Sequence, residues 1–218
     1  AMDADAAAAW LAARGAQQPA GVGGIAATLD QEHYETAVDR ISRYIAAGDC
    51  YQVNFTFALN FEWFGTPAAL YARLRAGQPV RYGGFVATDE GGIVSLSPEL
   101  FIEKSGDRLL TRPMKGTLAR QESAEKLRLS LKDRAENLMI VDLLRNDLGR
   151  VAVRGSVEVR ELFAIEDYPT LWQMVSEIAA RVDAGVRLPD ILGALFPCGS
   201  ITGAPKIRAT QILGELES

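Results

Sequence analysis

The sequence predicts an α+β fold of antiparallel sheets with helices packed outside them. Two features carry the expectation: stretches of alternating residues joined by short Gly- and Asp-bearing turns, and helical stretches opened by capping residues and closed by glycines. With 218 residues, 48% of them hydrophobic and 23% charged, the chain has enough apolar material for one large core or two modest ones.

Residues 1–29 are expected to be a linker or lead-in, because Ala1 to Ala20 is alanine-rich and Ala16 to Thr28 is a Gly, Ala and Gln stretch with no period. Asp3 and Asp5 stand where a signal peptide carries Lys or Arg, and no long apolar core follows, so export is not expected. No run of about 18 apolar residues occurs, which argues against a transmembrane span and for a cytoplasmic protein. Asp30 is placed to cap a helix running to about Ala47, with Tyr34, Val38, Ile41 and Ile45 on one face and Gly48 as its stop. His33, the only histidine, lies in its first turn with no second imidazole near it in sequence, and reads as a surface residue.

From Tyr51 to Trp63 the residues alternate apolar and polar, predicting one strand with a polar row that lines a site. Thr66-Pro67 opens a short helix that Gly77 closes. Strands are expected at Tyr82 to Thr88, Ile93 to Ser97, Leu100 to Lys104 and Arg108 to Arg112, with turns at Asp89-Glu90-Gly91-Gly92 and Ser105-Gly106-Asp107. Glu122 to Leu131 and Lys132 to Leu148 read as helical, and Gly149 ends the second. Val151 to Val153, Ser156 to Ile165 and Leu171 to Val182 are rich in β-branched or alternating residues and predict more sheet. Leu188 to Leu195 is a short helix, and the chain closes on a helix carrying Glu215 and Glu217.

The formal charge of -5, with Lys and Arg scattered among acids, excludes the basic stripe of a nucleic-acid binder. Cys50 and Cys198 are far apart in sequence and are expected to be free thiols.

Three stretches carry candidate chemistry. Thr111-Arg112-Pro113-Met114-Lys115-Gly116-Thr117 follows a strand, so Lys115 should sit on a tight turn at a sheet end. A buried lysine so placed can lose its proton and act as a nucleophile, whereas an isolated Pro-x-Lys-Gly is ordinarily a solvated surface feature. Asp133 and Glu136 project from one helical face, as either a solvated surface or half of a cation site. Gly199-Ser200-Ile201-Thr202-Gly203-Ala204-Pro205-Lys206 is a glycine-punctuated loop feeding a helix, with backbone N–H groups, two hydroxyls and an amine suited to a carboxylate or phosphate. Its spacing is not that of the nucleotide-binding P-loop.

Taken together, Tyr51-Gln52-Val53-Asn54, Ser97-Pro98-Glu99, Pro113-Met114-Lys115-Gly116-Thr117, the run Ala135 to Leu148, and Gly199 to Lys206 resemble the chorismate-utilising enzymes over roughly residues 31–217. The family includes anthranilate, aminodeoxychorismate, isochorismate and salicylate synthases. The resemblance implies an antiparallel β-sandwich core flanked by helices, with residues 30–218 as the chorismate-binding catalytic domain. It also implies an N-terminal half and a C-terminal tail, with an Arg-Gly-x-Tyr loop and an arginine-bearing strand, that these residues do not include.

Two positions divide the family. Isochorismate and salicylate synthases carry a water-activating lysine at the position of Gln52, and an amide cannot take up a proton at neutral pH. Anthranilate synthases carry alanine at the position of Lys115. Gln52 with Lys115 resembles the aminodeoxychorismate synthase branch, which implies amination of chorismate at C4 through a covalent lysine adduct at C2, toward 4-aminobenzoate and folate. By that resemblance Lys115 is the nucleophile and Glu99 the general acid. The same resemblance makes Glu136 and Glu217 Mg²⁺ ligands, with Asp133 matching a further acid of the metal site. It further implies that Gly199, Ser200, Thr202, Gly203, Lys206, Thr117 and Gln173 bind substrate and that ammonia comes from a glutamine amidotransferase subunit. Gln173 departs from the histidine of many relatives and cannot protonate a leaving group, which shifts that role onto Glu99. The rival readings are anthranilate synthase component I, and an inactive piece acting only as a binding module.

Overall fold

The structure is a computed structural model that describes residues 4–15, 18–89 and 91–217. In chain order the first elements are α1 (Ala4–Arg14), β1 (Gly21–Ala27), α2 (Gln31–Ala46), β2 (Gln52–Val53), β3 (Leu59–Phe64), α3 (Pro67–Gly77), β4 (Tyr82–Thr88) and β5 (Gly91–Ser97). They are followed by β6 (Leu100–Ser105), β7 (Arg108–Arg112), β8 (Met114–Ala119), α4 (Ala124–Leu129), α5 (Leu131–Gly149), β9 (Glu158–Asp167) and β10 (Leu171–Arg181). The last are α6 (Leu188–Leu195), α7 (Gly199–Thr202), β11 (Gly203–Ala204) and α8 (Lys206–Leu216). The class is α+β with antiparallel pairing, as the sequence predicts. No helix among the described residues is long and apolar enough to cross a membrane.

The chain divides into two compact units, residues 1–30 with 57–99, and residues 31–56 with 100–218. In the first, the expected lead-in is largely structured. Its alanines form α1, in keeping with their high helix propensity. Gly21–Ala27 becomes a strand through its partner: β1 pairs β3 with Gly21 opposite Phe64 and Ala27 opposite Leu59, so the ladder supplies what the side chains do not. Residues 1–3, 16 and 17 of that lead-in, and Glu90 of the expected turn, lie outside the described residues. The β4–β5 hairpin forms as expected, and Tyr71 of α3 stacks on Phe85 at 6.1 Å between ring centroids. Thr66 caps α3, its hydroxyl accepting the Ala69 N–H at 3.2 Å.

The stretch Tyr51 to Trp63 is not one strand. The β2 pairing with the glycine-rich loop ends as Asn54 donates its backbone N–H to the Thr202 carbonyl at 2.8 Å, and strand structure resumes only at β3, which belongs to the other unit.

In the second unit β10 is central. One edge pairs with β7 and then β8, the other with β9, and β6 extends the sheet beyond β7. Pro113 separates β7 from β8: it has no N–H to give the ladder, while its carbonyl still accepts the Ser176 N–H at 3.1 Å. Helix α5 lays Ile140, Val141, Leu144 and Leu148 against Leu109, Ile178 and Ala180 of the sheet, Val182 just beyond β10, and Ile191 and Leu195 of α6. Each such aliphatic side chain contributes about 1.5–3 kcal/mol on burial, so this stripe fastens α5 to the sheet. Ser130 accepts the Asp133 N–H at 3.2 Å, which places the break between the two expected helices there. Val151 to Val153 is a turn rather than the expected strand. Too few residues separate the end of α5 from Gly155 for a ladder, and only Val153 reaches β10, through the Arg181 carbonyl.

Candidate functional site

Lys115 sits on a β-bulge. Thr117 faces Gln173 and Met114 faces Val175, so the single residue Met174 opposes both Lys115 and Gly116. Bulges of this kind re-aim side chains beside functional sites. Gly116 lies at φ 98°, where an L side chain is strained, and a Cβ on it would come 2.9 Å from the Cβ of Asp133. The Lys115 side chain is half-buried, and among the described residues no hydrogen bond or ion pair engages its amine.

The bulge is clamped by amides. Gln173 donates from Nε2 to the Gly116 carbonyl at 2.9 Å and accepts the Thr117 hydroxyl at 2.9 Å. Asn137 of α5, wholly buried, donates from Nδ2 to the carbonyls of Lys115 at 3.3 Å and Met174 at 3.4 Å. The structure thus brings together Lys115, Thr117, Gln173 and Asp133.

Glu136 is one turn further along α5, 3.8 Å from the exposed Lys132 ammonium, a loose pair of little energetic weight. Glu217 accepts both the backbone N–H and the hydroxyl of Thr56 on one oxygen, at 2.7 and 2.9 Å. Among the described residues no three acidic, histidine or cysteine side chains converge into a ready-made cation cage. Magnesium is commonly held by one or two carboxylates and completed by water and ligand oxygens, so carboxylate donors of this kind fit that ion without such a cage.

The glycine-rich loop is a second assembly. Gly203 and Ala204 pair with Val53 and Gln52, and Asn54 donates its side-chain amide to the Ser200 carbonyl at 2.8 Å. Gly203 lies at φ 147°, and a Cβ there would overlap the Gln52 carbonyl. A Cβ on Gly199 would overlap Leu143 of α5. The two hydroxyls expected to face a ligand turn inward. Thr202 donates to the Cys198 carbonyl at 3.0 Å, and Ser200 lies 3.2 Å from the Cys198 sulfur. Both are buried, because a four-residue helix closes on its own polar groups.

Lys206 also differs from expectation. Its amine donates to Asp147 at 2.7 Å and to the Leu195 carbonyl at 3.0 Å, with 11% and 6% of the two side chains exposed. Asp147 lies ten residues beyond Asn137, about 15 Å along the axis of α5, so this amine ties α8 to α5 and does not join Lys115. Burial pushes the Asp147 carboxyl above its ordinary value, and Lys206 pulls it back in part. Glu99 belongs to the first unit, its carbonyl accepting the Ser97 hydroxyl at 3.1 Å.

The residues the sequence reading missed are Asn137 and Ser176. A signal for the first was present: Asn137 falls in phase with the apolar stripe Ile140, Val141, Leu144 and Leu148, where a polar residue needs a partner.

Among solved structures, anthranilate synthase component I from Streptococcus pneumoniae matches with a TM-score of 0.81 at 29% identity, over 88% of this chain and 44% of that one. The menaquinone-specific isochorismate synthase from Escherichia coli matches at 0.80 and 19% identity, which shows a shared fold. The class is thus that of the chorismate-utilising fold. The chain belongs to the chorismate binding enzyme family, whose model matches residues 6–218. It is 45% identical over 198 residues to aminodeoxychorismate synthase component 1 of Klebsiella aerogenes, covering 88% of this chain and 44% of that protein. It is 40% identical to the protein of the same name in Bacillus subtilis, and 39% identical to anthranilate synthase component 1 of Pseudomonas putida. The chain spans under half the length of these curated relatives.

Proposed function

We propose that the protein of which this chain is part is component I of an aminodeoxychorismate synthase, converting chorismate and ammonia to 4-amino-4-deoxychorismate. The observation that carries the reading is Lys115: a half-buried amine on a clamped bulge, held by no ion pair among the described residues, in a chain 44 to 46% identical to aminodeoxychorismate synthases of three enterobacteria. Gln52 supports it. Its amide is spent on Asn54 at 2.9 Å and cannot serve as a base, which disfavours attack by water.

The Lys115 Nζ forms a bond to C2 of chorismate, both double bonds of the ring diene shift, and the C4–O bond breaks. The hydroxyl departs as water on a proton from Glu99. Ammonia then bonds C4, both double bonds return, the C2–N bond breaks to free Lys115, and the proton shed by the new C4 ammonium restores Glu99. Gln173 and Thr117 hold the bulge in register during these steps. Glu136 and Glu217, with Asp133 one turn before Glu136 on α5, would hold Mg²⁺, which would supply positive charge to the substrate carboxylate. The inward hydroxyls of Ser200 and Thr202 leave the backbone of the Gly199–Gly203 loop as the part suited to an anion. Ammonia is supplied by a glutamine amidotransferase subunit, a reading supported by the word component in the relatives' names, and the site of action is the cytoplasm.

The test is Lys115→Ala in the full-length protein, given chorismate, ammonia and Mg²⁺. The expected result is loss of aminodeoxychorismate; product formed at the wild-type rate overturns the role of Lys115. Anthranilate fluorescence with release of pyruvate would instead assign anthranilate synthesis.

A further inference from the structure

Resting on that reading, we infer that Asn137 and Ser176 are positioning residues that fix Lys115 by joining two bulges placed back to back on β10. On one edge of β10, Met174 opposes Lys115 and Gly116. On the other, Ala164 faces Val175 and Glu161 faces Glu177, so Ser176 alone opposes Leu162 and Phe163. Phe163 takes φ 59°, a left-handed conformation unusual for an aromatic residue, with its ring under the Arg134 guanidinium at 4.8 Å.

Both bulges leave backbone groups without ladder partners, and one chain of bonds satisfies them. The Phe163 N–H donates to the Ser176 hydroxyl at 3.1 Å, that hydroxyl donates to Asn137 Oδ1 at 2.5 Å, and Asn137 Nδ2 donates to the Lys115 and Met174 carbonyls. The direction is forced. Carbonyls only accept, so the amide nitrogen must face Lys115 and Met174, its oxygen must face Ser176, and the serine proton must point at it. Asn137 and Ser176 are each 1% exposed, so the chain of bonds runs through the buried interior. A turn earlier on the same helix, Asp133 packs against Gly116. Three strands and α5 therefore meet at the backbone that carries Lys115, and Asn137 and Ser176 hold it through its carbonyl from the buried interior.

The experiment uses the full-length protein with Ser176→Ala, Ser176→Thr, Asn137→Asp and Lys115→Ala. Ser176→Ala is nearly isosteric and removes only the relay, Ser176→Thr keeps a hydroxyl, and Asn137→Asp turns a carboxylate toward two carbonyls. Two quantities are read. One is kcat and KM for chorismate in the ammonia-dependent reaction. The other is the rate at which acetic anhydride labels Lys115 relative to the exposed Lys126, in ligand-free protein, by mass spectrometry of the peptides. Expected is a fall in kcat of about tenfold for Ser176→Ala at nearly unchanged KM, recovery in Ser176→Thr, and a several-fold change in relative labelling. Should Asn137→Asp fail to fold, the two serine variants carry the test. Wild-type kcat and labelling in Ser176→Ala, while Lys115→Ala is dead, overturns the positioning role and leaves the function standing. Aminodeoxychorismate formed by Lys115→Ala at the wild-type rate overturns the role of Lys115, anthranilate and pyruvate in place of aminodeoxychorismate overturn the function, and in either case relative labelling alone decides the positioning role. A kcat that falls only with the folded fraction, labelling unchanged, means a structural role and also overturns it.

Discussion

The Cβ of Asp133 lies 2.9 Å from where a Cβ on Gly116 would stand, so the first turn of α5 closes on the bulge at the one residue without a side chain. Gly116→Ala adds that clash to the strain of an L residue at φ 98°. The expected cost is about 1–3 kcal/mol, read as a lower urea midpoint with unchanged slope. A midpoint equal to wild type would show that α5 and the bulge give way easily.

Lys206→Met leaves Asp147 buried without its cation, at a cost of about 3–5 kcal/mol near neutral pH. The sign with pH follows from the direction of the shift. Burial raises the Asp147 carboxyl and both influences of Lys206 lower it, so the variant raises it further. A carboxyl whose folded value lies above its unfolded value gives stability that is full below the unfolded value and lost as pH rises through the folded one. The melting temperature of Lys206→Met, compared with wild type, should therefore fall from mildly acidic to neutral pH. A constant difference across that range would contradict the assignment.

Gln173→Glu tests the other clamp. A carboxylate still accepts the Thr117 hydroxyl but cannot donate to the Gly116 carbonyl, and it repels that oxygen. Loss of a buried bond of this kind predicts a fall of about 10- to 100-fold in ammonia-dependent turnover, with the folded state retained. Steady-state product formation measures it.

Chelation of Mg²⁺ is expected to stop turnover, and Glu217→Gln to raise the Mg²⁺ concentration for half-maximal rate about tenfold or more. The amide oxygen still accepts the two Thr56 bonds, so the local structure survives. An unchanged Mg²⁺ requirement would remove Glu217 from the ligand set.

What the sequence reveals depends on where the signal lies. Elements with their own caps and periods, such as α3 behind Thr66 and the β4–β5 hairpin, were legible. Strand β1 was not, because Gly and Ala carry no alternation and its order comes from β3. Lys115, Thr117 and Gln173 were found together since their strands carry recognisable motifs. The bulges were invisible: a one-residue difference between partners is a property of two strands and not of either. Lys206 was misplaced for a related reason. Its partner Asp147 lies 59 residues away, and a lysine in a loop motif does not announce that it is paired.

Asn137 grips the oxygen of position 115, not its side chain. Every amino acid has that oxygen, so the scaffold is blind to which one stands there. A single codon change can then trade the amine for an inert methyl while the sheet keeps its shape, so the residue on the bulge and the framework beneath it are free to change separately.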